Sequence, residues 1–271
     1  MPTTPIFISL HTLDAPKYYH PDTFTNQFSP GNIIYLGNSV TGGNPPFSDS
    51  YVIPNETDVQ TAFNGVDPLS KLFFVESNSA HHITKFIVQR TYARLISQGK
   101  INAGKKILVV NFDQHEDFEG ANGKLLCSNW GAHLCSETSE ADYMAIGLSQ
   151  NRRVIFWENC GTEVTRRTIN EADTSLTGIY DKYDAIYVTV DMDVLVGENA
   201  TRTNWRDGFM PLDELTALLN ALPAGKIFAA DITGFPPLQA KKSTIPFNDN
   251  ILDSHITDIT TVKSILSQKI V

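Results

Sequence analysis

Short, mostly apolar runs rich in β-branched residues recur along the chain, and they constrain its fold more than any other feature. They occupy residues 5–10, 33–36, 72–75, 106–112, 153–157, 185–190 and 226–232. Most lack the alternation of apolar and polar residues that is typical of a strand with one solvent-exposed face, so they indicate strands buried on both faces. Helical patterns occupy 82–97, 211–222 and 256–269. The alternation of strands and helices predicts an α/β protein, with a three-layer α/β/α arrangement around a mostly parallel central sheet.

The chain keeps this organisation throughout its 271 residues, of which 41% are hydrophobic, enough to bury a sizeable core. No internal repeat, low-complexity linker or block of like charge divides it. We therefore expect one domain spanning residues 1–271.

Charge and hydropathy disfavour several classes of partner. The net charge is −9 and the basic residues form no long run, which argues against nucleic acid or an anionic membrane. The apolar runs are strand-sized, whereas a membrane-spanning helix needs about 20 residues. Residues 1–10 lack the basic region of a secretory signal. The three cysteines, Cys127, Cys135 and Cys160, show no CxxC spacing, so a reducing cytoplasm is the expected location.

Polar residues cluster directly after the predicted strands, where open parallel sheets carry their binding sites. Asp113-x-His115-x-Asp117 follows the run at 106–112, and Asp191-x-Asp193 follows the run at 185–190. In an extended segment, side chains two residues apart share a face, so each motif presents its donors together.

Four converging carboxylates repel one another unless cations neutralise them. Asp191-x-Asp193 alone would equally suit solvated carboxylates or a buried hydrogen-bonded pair. Combined with the first motif, and with His81 after the strand at 72–75, it indicates a site for two divalent ions. Oxygen-rich ligation with few imidazoles favours Mn²⁺, while Co²⁺, Fe²⁺ and Zn²⁺ remain alternatives.

The order of these motifs resembles that of the arginase and ureohydrolase superfamily. The matching segments are Asn78-Ser-Ala-His81, Asp113-Gln-His115-Glu-Asp117 and Asp191-Met-Asp193. The resemblance implies an arginase/deacetylase-like fold and two Mn²⁺ ions. By this resemblance one ion is held by His81, Asp113, Asp117 and Asp191, and the other by Asp113, His115, Asp191 and Asp193.

The resemblance also implies an activity, which is hydrolysis of a guanidinium group. It assigns to Asp117 the transfer of a proton to the leaving nitrogen. His133 is either an outer proton shuttle or substrate contact, or a histidine of a surface loop. Asn129 and Trp130 are expected to contact the substrate, although Trp130 would equally serve to pin its loop.

Other positions depart from the family pattern and concern substrate recognition. The late segment Asp231-Ile-Thr-Gly234 has glycine where arginases carry a guanidinium-binding glutamate, and Val196 replaces a third aspartate. Asp231 or Glu76 are alternative partners for the guanidinium. This combination is similar to the peptide arginases, which implies that the partner is an arginine-containing, ribosomally made precursor peptide converted to ornithine with release of urea.

Other functions remain open. An amidinohydrolase acting on a small guanidino compound would use the same centre, and a deacetylase-like amidohydrolase would use one Zn²⁺. A catalytically silent peptide-binding module is the alternative from a different class. The leading hypothesis is a manganese hydrolase acting on C–N bonds other than peptide bonds, with its oligomeric state undetermined.

Overall fold

The structure is a computed structural model, and it describes residues 5–9, 33–36, 56–64, 66, 69–75, 80–148, 153–159, 163–169, 176–196, 208–234 and 249–271. Within these ranges the strands are β1 (Ile6–Ser9), β2 (Ile33–Tyr35), β3 (Leu72–Val75), β4 (Ile107–Phe112), β5 (Ala141–Leu148), β6 (Arg153–Asn159), β7 (Val164–Ile169), β8 (Ala185–Asp191) and β9 (Ile227–Thr233). The α-helices are α1 (Glu56–Asn64), α2 (Ile83–Ser97), α3 (Trp130–Glu137), α4 (Leu176–Tyr180), α5 (Leu212–Ala221) and α6 (Asp249–Lys269). A 3₁₀ turn, Met192–Val194, follows β8.

The described strands form one sheet in the order β2-β1-β3-β9-β8-β4-β5-β6-β7. All neighbours from β2 to β5 pair in parallel, while β6 and β7 add antiparallel pairs at one edge. The predicted mostly parallel central sheet is therefore confirmed.

Helices cover both faces of this sheet because alternate residues of each central strand point to opposite sides. In β4, Ile107 and Val109 pack in a core formed with α1, α2 and α3. Leu108 and Val110 pack in a second core formed with α4, α5 and α6. These two cores account for the three-layer α/β/α arrangement predicted from the sequence.

The predicted strands all occur, with bounds shifted by at most two residues, and two further strands appear. β5 contains alanine, glycine and an aspartate, which weaken the β-branched pattern by which strands are recognised. β7, with the sequence Val-Thr-Arg-Arg-Thr-Ile, exposes four of its six residues at the sheet edge. Its charged side chains make the edge a poor template for pairing with another chain.

Helix prediction was accurate for α2 and α5 but incomplete elsewhere. The last helix begins at Asp249 rather than at residue 256, and α1, α3 and α4 were not predicted. Among the described residues, no helix combines the length and the apolar character needed to cross a membrane. The single-domain expectation stays a prediction, and Glu76 and Cys160 lie outside the described residues.

Candidate metal centre

The order of the central strands brings the two acidic motifs to one place. β4 and β8 pair in parallel with Phe112 opposite Val190, so Asp113 and Asp191 leave the sheet side by side. His81 lies between β3 and α2 in the chain. In the sheet, β3 pairs with β9, and β9 pairs with the edge of β8 opposite to β4. The predicted donors thus meet at the carboxyl ends of the strands, as expected for a parallel sheet.

One group of donors surrounds the Nδ1 atom of His81. This nitrogen lies 3.0 Å from Asp117 Oδ2, 3.2 Å from Asp113 Oδ2 and 3.4 Å from Asp191 Oδ2. Only 1% of the His81 side chain is exposed. Three carboxylates and one imidazole therefore converge in a space closed to bulk water.

A second group surrounds His115. Its Nδ1 atom lies 3.2 Å from Asp113 Oδ1 and 3.4 Å from Asp193 Oδ2. The side chain of His115 is 43% exposed, whereas that of Asp193 is fully buried. His115 therefore marks the side from which solvent and small molecules reach this group.

Asp113 belongs to both groups, with one oxygen facing each histidine. Its Oδ1 atom also accepts a hydrogen bond of 2.7 Å from the backbone N–H of His115. Its Oδ2 atom accepts one of 3.1 Å from Asn111 Nδ2, and Asn111 Nδ2 also donates to the hydroxyl of Tyr143 at 2.7 Å. These donors hold the carboxylate so that each of its oxygens faces a different histidine.

The backbone of Asp117 adopts a conformation that few non-glycine residues take. Its φ is +52°, in the left-handed region. The start of α3 holds it there: the N–H of Gly131 donates to the Asp117 carbonyl at 3.0 Å, and Trp130 Nε1 donates to Asp117 Oδ2 at 2.6 Å. A side chain on Gly131 would approach this carbonyl to 3.1 Å and the Tyr143 ring to 3.0 Å, which explains the glycine.

Burial and mutual repulsion raise the pKa of three carboxyl groups. Burial and the Asp113 charge raise the pKa of Asp117 to about 7. Burial and the Asp193 charge raise the pKa of Asp191, and burial and the Asp113 charge raise that of Asp193. Without a cation, the cluster therefore resists full ionisation.

The pKa values of the two histidines are raised as well, which favours their charged form, although burial alone would favour the neutral form. Hydrogen bonding to Asp113 and Asp193 raises the pKa of His115 to about 12. Contacts with Asp113 and Asp117 likewise raise the pKa of His81. Bonds from these two imidazoles lower the pKa of Asp113 against the effect of its burial. The site thus attracts positive charge.

The donor set fits a pair of divalent ions. Donor atoms about 2.0–2.2 Å from one ion lie roughly 3 Å apart, and the contacts of His81 Nδ1 are 3.0–3.4 Å. Two sets of candidate ligand atoms are closely spaced, and within each set the atoms lie within 4.8 Å of one another. One set comes from His81, Asp113 and Asp117, and the other from Asp113, His115 and Asp193. The structure therefore brings all six predicted residues together, while their role as ligands stays a prediction.

The other predicted site residues lie near this cluster in different settings. Trp130 is fully buried against His81, at 5.1 Å between ring centroids, and binds Asp117. Asn129 accepts a hydrogen bond from the N–H of Leu126 and donates to the carbonyl of Lys124, so its amide closes the preceding loop. Contact of either side chain with a substrate stays a prediction.

His133 lies one helical turn after Trp130. Its side chain is 11% exposed and its Nδ1 atom is 3.7 Å from Glu137 Oε1, which in turn lies 2.7 Å from Lys85 Nζ. The residue is thus part of α3 and largely buried, which corrects the alternative of a surface-loop histidine. Its role in proton transfer stays a prediction.

The positions that depart from the family pattern have clear structural settings. Gly234 has a φ of +92°, and a Cβ atom there would lie 3.1 Å from Asp191 Oδ1. Asp231 is fully buried, and its oxygens accept hydrogen bonds from Thr189 and Tyr187, so it is not placed to reach a substrate. Val196 is 41% exposed.

Sequence reasoning missed several residues that support the cluster, including Asn111, Thr189 and Tyr187. Two of them carried a signal: Asn111 and Thr189 are polar residues inside apolar strands, two positions before Asp113 and Asp191. That spacing puts each on the same face as the acid that follows.

Solved structures with the same fold are arginases and related hydrolases. Arginase from Medicago truncatula matches with a TM-score of 0.56 and 13% identity over 98% of this chain and 86% of that one. Proclavaminate amidino hydrolase from Streptomyces clavuligerus gives 0.54 and 16% over 99% and 92%. Formimidoylglutamase from Bacillus subtilis gives 0.53 and 13% over 98% and 87%. No curated protein sequence matches the chain.

The fold and the buried cluster of acids and histidines together define a chain of the arginase class. The family model described as the Arginase family matches residues 80–256, which include every residue of the cluster. The chain belongs to the arginase family and is a hydrolase of that family.

Proposed function

We propose that this protein is a hydrolase with two divalent metal ions that cleaves a C–N bond of a guanidinium group. The observation that carries this proposal is the position of Asp113, whose two oxygens face two separate histidine-containing groups. A shared carboxylate between two ligand sets suits a pair of ions better than a single one.

The proposed ligands divide between the two groups. His81 and Asp117 would hold one ion and His115 and Asp193 the other, with Asp113 and Asp191 shared between them. The site has many carboxylates and only two imidazoles, and such oxygen-rich sets favour Mn²⁺. When bound, the ions would polarise water and make it a competent nucleophile near neutral pH.

The chain's own residues would control protons and access. Asp117 is fixed by Trp130 at one oxygen and lies inside the cluster, where it can pass a proton to the leaving nitrogen. The exposed face of His115 gives the side of approach. In the overall reaction water supplies the oxygen of urea, the bond from the guanidinium carbon to Nε breaks, and Nε gains a proton to become the ornithine amine.

We further propose that the substrate is an arginine side chain within a ribosomally made precursor peptide. Gly234 and Val196 replace acidic residues of the free-arginine enzymes to which the sequence is similar. The net charge of −9 favours a cationic peptide. The mature product would contain ornithine, and the cytoplasm is the proposed location.

Mass spectrometry of a Mn²⁺-loaded reaction tests this proposal. An internal-arginine peptide and free arginine are incubated separately with the wild type, with Asp113→Ala and with Asp181→Asn. Asp181 is a surface carboxylate with a 69% exposed side chain, so its variant controls for loss of a charge. We expect the peptide to lose CH₂N₂ and urea to appear with the wild type and Asp181→Asn, and not with Asp113→Ala.

Each alternative result has a distinct meaning. Reaction of free arginine alone would retain guanidinium hydrolysis and reject the peptide substrate. Absence of urea from both, with two Mn²⁺ bound per chain, would overturn guanidinium hydrolysis of arginine. Binding of a single Zn²⁺ would instead favour the deacetylase-like alternative.

A further inference from the structure

The second ring nitrogen of His81 faces away from the acidic cluster. While Nδ1 lies among three carboxylate oxygens, Nε2 is 2.8 Å from the hydroxyl oxygen of Thr189. Thr189 belongs to β8 and is fully buried. The imidazole is therefore held between the cluster and the sheet.

Thr189 has a second partner that determines the direction of its hydrogen bonds. Its hydroxyl donates to Asp231 Oδ1 at 2.6 Å, and the hydroxyl of Tyr187 donates to Asp231 Oδ2 at 2.7 Å. All three side chains are fully buried. A hydroxyl has one proton, so once Thr189 donates to the carboxylate its oxygen accepts from the N–H of His81 Nε2.

We propose that Thr189 and Asp231 are positioning residues, which hold His81 as the Nε2–H tautomer and thereby present the lone pair of Nδ1 to a metal ion. This inference rests on the proposed function, because it concerns the same pair of ions. Both act through His81, because Thr189 contacts its ring and Asp231 contacts Thr189.

The choice of tautomer matters because of what surrounds Nδ1. Carboxylate oxygens at 3.0–3.4 Å would stabilise a proton on that nitrogen, and a protonated Nδ1 cannot bind a metal. The acceptor at Thr189 gives the ring proton a partner on the opposite side. Removing the acceptor also leaves the ring without the contact that fixes its rotation.

Three variants separate this role from general packing. Thr189→Val keeps the shape of the side chain and removes the hydroxyl, and Thr189→Ser restores a hydroxyl. Thr233→Val is the matched control: Thr233 is fully buried on β9 and pairs in register with Asp191. Among the described residues its hydroxyl has no hydrogen-bond partner.

The first measurement is a titration of each metal-free protein with Mn²⁺. The electron paramagnetic resonance signal of the free ion reports how much Mn²⁺ remains unbound. We expect Thr189→Val to bind Mn²⁺ about 10- to 100-fold more weakly than the wild type. Thr189→Ser and Thr233→Val should bind as the wild type does. Thermal unfolding of the metal-free proteins establishes that each variant is folded.

A second measurement uses the wild type alone and does not depend on how the variants fold. In Zn²⁺-loaded protein with ¹⁵N-labelled histidine, NMR should assign the proton of His81 to Nε2 and the metal to Nδ1. A proton on Nδ1, or wild-type Mn²⁺ affinity in Thr189→Val, overturns the inference while leaving the proposed function intact. A wild type that binds no Mn²⁺ overturns both.

Discussion

At the scale of single residues, Trp130 supports the carboxylate of Asp117 through a hydrogen bond. Its ring is fully buried between His81 and Tyr143, and its Nε1 atom donates a 2.6 Å hydrogen bond to Asp117. Asp117 needs such support because its φ of +52° is unfavourable for a residue with a Cβ atom. The tryptophan expected to contact substrate thus positions one of the candidate ligands.

Replacement of Trp130 by phenylalanine keeps an aromatic ring and removes the donor to Asp117. We expect the free energy of unfolding to fall by about 1.5–3 kcal/mol, the range for a hydrogen bond to a charged group. Mn²⁺ binding should weaken by about tenfold, because a supporting contact of a ligand is lost. Denaturant unfolding and Mn²⁺ titration measure the two effects.

The control for this variant is Trp157→Phe. Trp157 is 3% exposed and packs on Phe118 and Tyr143 in the same aromatic cluster, so its replacement removes the same ring atoms while Asp117 keeps its donor. Equal loss of Mn²⁺ affinity in both variants would contradict a specific role for the Trp130 bond.

At the scale of elements, the end of β9 shapes the cluster through its backbone. β9 pairs with β8 so that Thr233 lies opposite Asp191, and Gly234 follows directly. The absence of a side chain at Gly234 lets the chain pass close to the Asp191 carboxylate. A glutamate at this position, as in the family pattern, would require a different backbone path.

Gly234→Ala tests this close approach, with Gly225→Ala as its control. The two glycines have similar φ values, +92° and +90°, but a Cβ atom at Gly225 meets nothing within 4 Å. Each variant should lose about 1 kcal/mol of stability, because alanine disfavours positive φ. Only Gly234→Ala should weaken Mn²⁺ binding, since its Cβ atom crowds Asp191 Oδ1. Unchanged Mn²⁺ affinity in Gly234→Ala would refute this explanation.

At the scale of the whole molecule, the fold concentrates charge that it cannot neutralise alone. Tertiary contacts bring Asp113, Asp117, Asp191 and Asp193 together with two histidines at one end of the sheet. The cost of burying these groups depends on pH and on bound cations. The stability of the metal-free protein should therefore report on the candidate centre.

We expect the metal-free protein to have a lower Tm at pH 8 than at pH 6. The folded pKa of Asp117 is raised to about 7 from 3.8, so protonation of this group stabilises the folded state at low pH. This stabilisation is lost as the pH rises through the folded pKa. The pKa of His115 is raised to about 12 from 6.5, so its contribution is complete below 6.5 and declines above it. Both changes act in the same direction between pH 6 and 8.

Thermal unfolding of chelator-treated protein at the two pH values measures this difference. Saturating Mn²⁺ should raise Tm and do so more at pH 8, because metal binding is stronger when its ligands are deprotonated. A metal-free Tm that is higher at pH 8 than at pH 6 would contradict the prediction.

The amino-acid sequence by itself determined the alternation of buried strands and helices and the identity of the six candidate ligands. The reason is that these features are local. A continuous apolar run indicates a strand buried on both faces, and the spacing of Asp113, His115 and Asp117 appears within five consecutive residues. Strands β5 and β7 lacked that local signal, one because of its small residues and the other because of its exposed, charged ones.

Only the tertiary structure decided which residues support those ligands. Thr189 contacts His81 across 108 positions of sequence, and Tyr187 contacts Asp231 across 44. Such contacts depend on the order of strands in the sheet and on which helix covers each face, and no short pattern encodes either. The same holds for Trp130 and Gly234, whose roles follow from what lies opposite them in the folded chain.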